Sequence, residues 1–226
     1  MKKLISVFML LTLLFSLAAC SSNTNSDDSS SPKSQSSDPS SSATEESDDS
    51  STSPVSATPE SEPTEAGSKS LVVYFSWSGN TENVAKSIQN QTDSDIFKIV
   101  PATPYSDDYN TVVDLAKVEQ RENARPAIAD SIENIADYDV IYVGFPNWWG
   151  DMPMILYTFF DSYELSGKTI APFCTSGGSG LSNTVNEMKE LEPNATVTDG
   201  LHIGSSSASN PDNAVSEWLS EIGLAN

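Results

Sequence analysis

Residues 71–81 read Leu-Val-Val-Tyr-Phe-Ser-Trp-Ser-Gly-Asn-Thr, and they limit the possible folds more than any other stretch. The apolar run Leu71–Phe75 has the length and composition of a buried strand. Ser76, Trp77, Ser78, Gly79, Asn80 and Thr81 then crowd three hydroxyls, an amide and a glycine into one turn. Val84, Ala85 and Ile88 follow at the spacing of a core-facing helix. A strand that feeds such a turn into a helix forms a phosphate cradle. The unpaired N–H groups of the first helical turn and the helix dipole both favour an anion. Gly79 allows close backbone approach, and Ser76, Ser78 and Thr81 add hydroxyl donors. An ordinary N-cap would need only one of those hydroxyls.

The same turn excludes two common nucleotide sites. A P-loop ends in Lys followed by Ser or Thr, whereas this turn ends in Asn80-Thr81 and the next lysine is Lys86. A dinucleotide fingerprint needs three spaced glycines, and here there is one. An uncharged cradle suits a single phosphate monoester.

The N-terminal segment has a different character. Lys2 and Lys3, an apolar stretch Leu4–Leu17 and then Ala18-Ala19-Cys20 have the order of a secretory signal, too short and wrongly flanked for a spanning helix. Cysteine directly after Leu-Ala-Ala resembles the lipobox of bacterial lipoproteins. That resemblance implies a signal peptide over 1–19, with Cys20 the lipidated first residue of the mature chain. Residues 21–69 are Ser-rich and Pro-dotted, with ten acids against Lys33 and Lys69. Such a segment cannot bury enough apolar surface to offset ordering, so it reads as a disordered tether within a 20–69 linker. As a flexible coil it would span about 35–42 Å.

The remaining segment, 70–226, is long enough for one domain with a sizeable core. It carries 22 acids and 7 bases, which argues against nucleic acid and could steer a basic partner. With Cys20 lipidated, only Cys174 remains, so no internal disulfide forms, and one His with one Cys is a poor zinc set.

Within it, strand-like runs alternate with helical patterns. The strands are Leu71–Phe75, Asp95–Val100, Val140–Phe145, Thr169–Cys174 and about Val197–Ile203. The helices fall near Asn80–Gln91, Asp107–Asn123, Met152–Ser162, Leu181–Glu190 and Asp212–Ile222. Val140–Phe145 and Ile170–Phe173 are apolar without alternation, as parallel strands covered on both faces are. Five βα units predict an α/β fold, a doubly wound parallel sheet with its ligand at the carboxyl ends of the strands.

Two further loops lie at that edge. After the third strand come Pro146, Asn147, Trp148, Trp149 and Gly150, where one indole can wall a planar heterocycle while the other packs inward. After the fourth come Ser176, Gly177, Gly178 and Ser179, whose backbone N–H groups can meet an acceptor-rich ring edge. Three such loops on one edge point to one shared ligand.

Taken together, Ser-Trp-Ser-Gly-Asn-Thr, Gly-Phe-Pro-Asn-Trp-Trp-Gly and Pro-Phe-Cys-Thr-Ser-Gly-Gly-Ser-Gly resemble the flavodoxins, over about Leu71–Asn226. The resemblance implies a five-stranded 2-1-3-4-5 sheet with helices on both faces, FMN bound non-covalently, and electron transfer through the flavin. By it, Ser76–Thr81 hold the FMN phosphate, Pro146–Gly150 lie against a ring face near N5, and Ser176–Ser179 meet the pyrimidine edge. The last loop departs from the best-known flavodoxins in having no aromatic residue, which leaves one ring face open, covered by Tyr105 or Tyr109, or free for a substrate. His202 and Cys174 read as structural, and Asp151 as favouring the start of the following helix.

The expected function is therefore an extracytoplasmic electron carrier, lipid-anchored at Cys20, serving redox protein partners and assumed monomeric. An acidic surround would lower the potential of the anionic hydroquinone. Two alternatives remain: an NAD(P)H-dependent FMN or quinone oxidoreductase, and a non-redox module for another phosphorylated ligand. No catalytic residue and no metal ligand is assigned.

Overall fold

The computed structural model describes residues 68–225. The expected signal peptide, Cys20 and nearly all of the tether lie outside the described residues. None of the described helices is long and apolar enough to cross a membrane.

The chain alternates strand and helix: β1 (Ser70–Tyr74), α1 (Asn80–Thr92), β2 (Asp95–Lys98), α2 (Tyr109–Glu122), β3 (Val140–Pro146), α3 (Met154–Ser162), β4 (Thr169–Ser176), α4 (Thr184–Leu191), β5 (Thr196–Val197), β6 (Leu201–Gly204) and α5 (Asp212–Glu221). The sheet runs β2-β1-β3-β4-β5, all parallel, and β6 also pairs with β4. This is the expected doubly wound order.

The sheet separates two cores. On one face Val72, Tyr74 and Tyr142 meet Val84 and Ile88 of α1 and Val215, Trp218 and Leu219 of α5. On the other, Val73, Ile141 and Val143 meet Ile155, Leu156 and Phe159 of α3 and Met188 of α4. Alternate residues of β1 and β3 thus serve opposite cores, which explains why neither strand shows a polar face. Gly144 lets β3 and β4 close up: a Cβ there would lie 2.1 Å from the Phe173 ring.

One expected element is corrected. The last strand is not continuous over Val197–Ile203 but broken into β5 and β6 by Thr198, Asp199 and Gly200. The break lies opposite Ala171 and Pro172 of β4, where three residues face two and Pro172 has no N–H to give to the ladder, and the Asp199 carbonyl accepts instead from the Trp218 indole at 2.9 Å. At Gly200 an added Cβ would lie 3.0 Å from Leu181, so the chain passes close over the start of the α4 connection. Three helix starts also shift. α2 opens at Tyr109 because Asp108 accepts from Thr111 N–H at 2.8 Å. α3 opens at Met154 behind Pro153, and α4 only at Thr184.

Candidate functional site

The loops after β1, β3 and β4 meet at the carboxyl edge of the sheet and are tied together by hydrogen bonds. Thr81 and Thr175 join their hydroxyls at 2.9 Å, linking the first turn of α1 to the end of β4. Asn147 N–H donates to the Thr175 carbonyl at 2.9 Å, and its side-chain amide donates to the Gly180 carbonyl (2.9 Å) and the Ser182 hydroxyl (3.0 Å).

In the first loop Gly79 has φ +89°, which a side chain rarely adopts, and precedes α1 with no side-chain cap. Its N–H donates to the Ser76 hydroxyl at 3.1 Å, closing a tight turn. The opening N–H groups of α1 thus carry no side-chain acceptor, as an anion site requires. Ser78 is exposed beside them, and Ser76, Gly79 and Asn80 are half-buried. Thr81 differs: it is buried and its hydroxyl engages Thr175, so its part in the cradle falls to the backbone. Glu82, in the same turn, is neutralised by Lys86 (2.7 Å) and Lys98 (2.9 Å), which hold its carboxyl below the usual range. Trp77 is pinned by its indole N–H, which donates to the Ser106 carbonyl at 2.9 Å.

In the loop after β3 the two tryptophans part. Trp148 packs inward, edge-on to Phe75 and Tyr105 with centroids 5.4 and 5.3 Å away. Trp149 is 50% exposed. Its indole N–H donates to the Val113 carbonyl at 3.0 Å, and Lys117 Nζ lies 4.4 Å from its ring centre. Trp149 and Gly150 both have positive φ, +57° and +83°, between reciprocal Trp148–Asp151 backbone bonds. That is the signature of a type I′ turn, and its first central position holds an aromatic residue where Asn or Gly is usual. Pro146 ends β3, and the Asn147 side-chain carbonyl accepts from Gly150 N–H at 3.0 Å. Asp151 accepts from Met152 N–H at 2.7 Å and from the Tyr157 hydroxyl, so it anchors the approach to α3. Burial pushes the Tyr157 hydroxyl up, and the adjacent Asp151 charge adds to this.

In the loop after β4 Ser176 is buried and organises the turn. Its hydroxyl accepts from Gly178 N–H (3.2 Å) and Gly180 N–H (3.1 Å), leaving Gly177, Gly178 and Ser179 exposed. Cys174 donates to the Gly180 carbonyl at 3.3 Å, and burial pushes its thiol up to about 12. A thiol so held is a poor nucleophile at neutral pH, which removes the redox role its position beside the loop could suggest.

Between these loops lies a cavity of about 270 Å³, lined by Trp77, Asn147, Trp148, Trp149 and Ser179 and by Tyr109, Val112, Val113 and Ala116 of α2. Trp77 also borders a second cavity of about 430 Å³, with Ser76, Ser78 and Tyr105. Tyr109 was a candidate ring cover from sequence, but Val112, Val113 and Ala116 of the α2 wall were not assigned, although their signal was present. Tyr109, Val112, Val113 and Ala116 follow the i, i+3, i+4, i+7 spacing of one helical face, a pattern that ordinarily reads as core. Tyr109 stays 64% exposed at the rim with its ring 6.1 Å from Trp77. Tyr105 turns inward, where its hydroxyl donates to Glu119 at 2.9 Å, and burial raises the pKa of both groups.

A family model described as flavodoxin matches residues 69–222. The chain belongs to the flavodoxin family. A flavoprotein of Bacteroides eggerthii is 35% identical over 70% of this chain and 99% of its own, with a TM-score of 0.63. The Lactobacillus acidophilus flavoprotein solved in complex with FMN is 27% identical over 67% of this chain and 99% of its own, with a TM-score of 0.53. An NAD(P)H dehydrogenase (quinone) of Caulobacter vibrioides is 27% identical over 148 residues, 60% of this chain and 67% of that protein. In this flavodoxin the turn before the uncapped helix start and the aromatic slot beside the Trp148-Trp149 loop meet at Trp77, which borders both cavities.

Proposed function

We propose that this flavodoxin binds FMN and transfers electrons, and that it works outside the cytoplasmic membrane, anchored through a lipid on Cys20. The observation that carries the cofactor reading is the juxtaposition of an uncapped α1 start, behind Gly79 at φ +89°, with an aromatic-walled cavity of about 270 Å³. The donor set fits the group. The backbone N–H groups of Asn80 and Thr81 with the Ser76 and Ser78 hydroxyls would hold a phosphate monoester without a cation, behind a Gly79 whose own N–H is held by Ser76. The Asn147–Gly150 turn and Trp77 would flank a planar ring, and the N–H groups of Gly177 and Ser179, on either side of the Gly178 N–H that Ser176 holds, would meet its polar edge. FMN, when bound, supplies the one-electron chemistry, and the protein supplies binding, orientation and charge. The 22 acids against 7 bases in 70–226 disfavour an anionic reduced ring and suit a basic redox partner.

Support for the cofactor comes also from the Lactobacillus relative, whose structure was solved with FMN. Support for the anchor is confined to sequence: the Leu-Ala-Ala-Cys order and the Ser-rich acidic segment behind it. A second reading, an NAD(P)H-dependent FMN or quinone oxidoreductase, is favoured by the Caulobacter relative and by the exposed Tyr109 at the cavity rim.

The experiment is to purify the full chain, add FMN and record its absorbance, then identify the released flavin. Tight 1:1 binding of FMN in preference to riboflavin is expected. A protein that stays colourless in excess FMN overturns the proposal and leaves a module for another phosphorylated ligand. Steady oxidation of NAD(P)H by the FMN-loaded chain with a soluble quinone, at enzymatic rates, would replace the carrier reading with the oxidoreductase one.

A further inference from the structure

His202, the single histidine of the chain, lies on β6 opposite Cys174 of β4. Its ring Nε2 is 2.8 Å from the Ser176 hydroxyl. That hydroxyl already accepts the N–H groups of Gly178 and Gly180. A serine hydroxyl has two acceptor lone pairs and one proton. With both lone pairs committed to the loop, the proton must go to His202, so Nε2 is the acceptor and the ring is neutral, carrying its hydrogen on Nδ1.

We infer that His202 is a positioning residue of the candidate site, and that its protonation releases the Gly177–Gly180 loop. An imidazolium carries N–H on both nitrogens. It would present a third donor to an oxygen with only two acceptor positions, and one loop N–H must then let go. Ser179, in the middle of that loop, lines the aromatic cavity, and the Asn147 amide donates to the Gly180 carbonyl at the loop's end. The loosened turn therefore acts on both the ring edge and the tryptophan turn.

The other titratable groups on the bordering elements are Cys174 on β4, Asp199 between β5 and β6, Glu187, Lys189 and Glu190 on α4, and Asp212, Glu217 and Glu221 on α5. Cys174 donates to Gly180, Asp212 accepts from Ser87 and Glu187 accepts from Asn183, and no hydrogen bond joins any of the eight to His202. The consequence for cofactor affinity rests on the FMN reading, whereas the consequence for the loop does not.

The test has two arms on the full chain, both run from about pH 7.5 to about pH 5, the span in which imidazole changes charge. In the first, without flavin, NMR follows the His202 ring nitrogens and the Gly178 and Gly180 amides. The expected result is an Nδ1–H tautomer at the upper end and glycine amides that shift with the same midpoint as the ring. In His202→Gln those amides should stay put. An Nε2–H tautomer, or glycine amides that ignore the ring's titration, overturns the inference. In the second arm FMN affinity is measured for wild type and His202→Gln. The FMN phosphate ionises near pH 6 in both, so the comparison removes it. Wild type should weaken about three- to tenfold more than the variant, the worth of one hydrogen bond. Equal weakening overturns the link to the site. If neither protein binds FMN, the cofactor reading fails, and the amide titration alone decides the role of His202.

Discussion

Replacing Trp148 and Trp149 separately by alanine should have unequal effects, and the structure sets the order. Trp148 lies edge-on to both Phe75 and Tyr105, half-buried at the top of the α3-side core. Truncating a core tryptophan costs about 3–5 kcal/mol, and partial exposure puts Trp148→Ala at about 3 kcal/mol. For a domain of about 150 residues each kcal/mol moves the melting point by about 2–4 °C, so a fall of about 6–12 °C is expected. Trp149 is half exposed and would lose one hydrogen bond to Val113, about 1 kcal/mol, and the Lys117 contact. An exposed cation–π contact adds about 0.5–1 kcal/mol, giving about 1.5–2 kcal/mol and a fall of about 3–8 °C. The melts are run on flavin-free protein, because bound FMN would add its own stabilisation. FMN titrations follow, and Trp149→Ala should weaken binding several-fold, since one stacking contact is worth about 0.5–1.5 kcal/mol. A Trp149→Ala protein that melts as low as Trp148→Ala, or binds FMN as wild type does, refutes this division of roles.

Three further outcomes are expected. Gly144→Ala should cost about 1–3 kcal/mol in a denaturant titration, because its Cβ would lie 2.1 Å from the buried Phe173 ring. Combining it with Phe173→Leu should cost about 1 kcal/mol less than the two single changes summed, whereas strict additivity would show that the ring is not what the methyl meets. Burial pushes the Glu119 carboxyl above its usual range by more than the Tyr105 hydroxyl lowers it, so the folded chain holds this proton more tightly than the unfolded one. That contribution is full below the ordinary glutamate range and is lost as pH rises through the folded-state value. Glu119→Gln, which keeps an acceptor for Tyr105, should gain on wild type in melts taken from about pH 4 to about pH 7; a constant difference would contradict the shift. Cys20→Ser should abolish fatty-acid labelling and free the chain from the membrane fraction, and a variant that stays membrane-bound would count against the lipid anchor.

The order of strands and helices was legible in the sequence because it depends on local signals: apolar runs of strand length, helical spacing and the caps between them. Leu71–Phe75 with Ser76–Thr81 and Val84–Ile88 was enough to write β1, the anion turn and α1 within a residue or two. The parallel order of the sheet followed from alternation and burial on both faces. The break at Thr198–Gly200 was not legible, because it depends on the pairing register that sets Pro172 of β4 opposite it, and on a Trp218 indole from a different element that takes the Asp199 carbonyl.

Residue types at the candidate site were set by sequence, but their duties were set by contacts distant in the chain. Thr81 reads as a phosphate donor until Thr175, on another strand, takes its hydroxyl. Trp148 and Trp149 are chemically identical neighbours, and only the positions of Phe75, Tyr105 and Val113 send one inward and leave the other at the surface. Val112, Val113 and Ala116 give a core-like helical face, and packing against the β3 turn is what makes that face a cavity wall. His202 reads as inert until β6 sets it against a serine whose lone pairs are already committed. Local chemistry fixes what a segment can form, while the partner of each hydrogen bond and ring is chosen by which strands the sheet brings together, and that choice is not contained in any one segment.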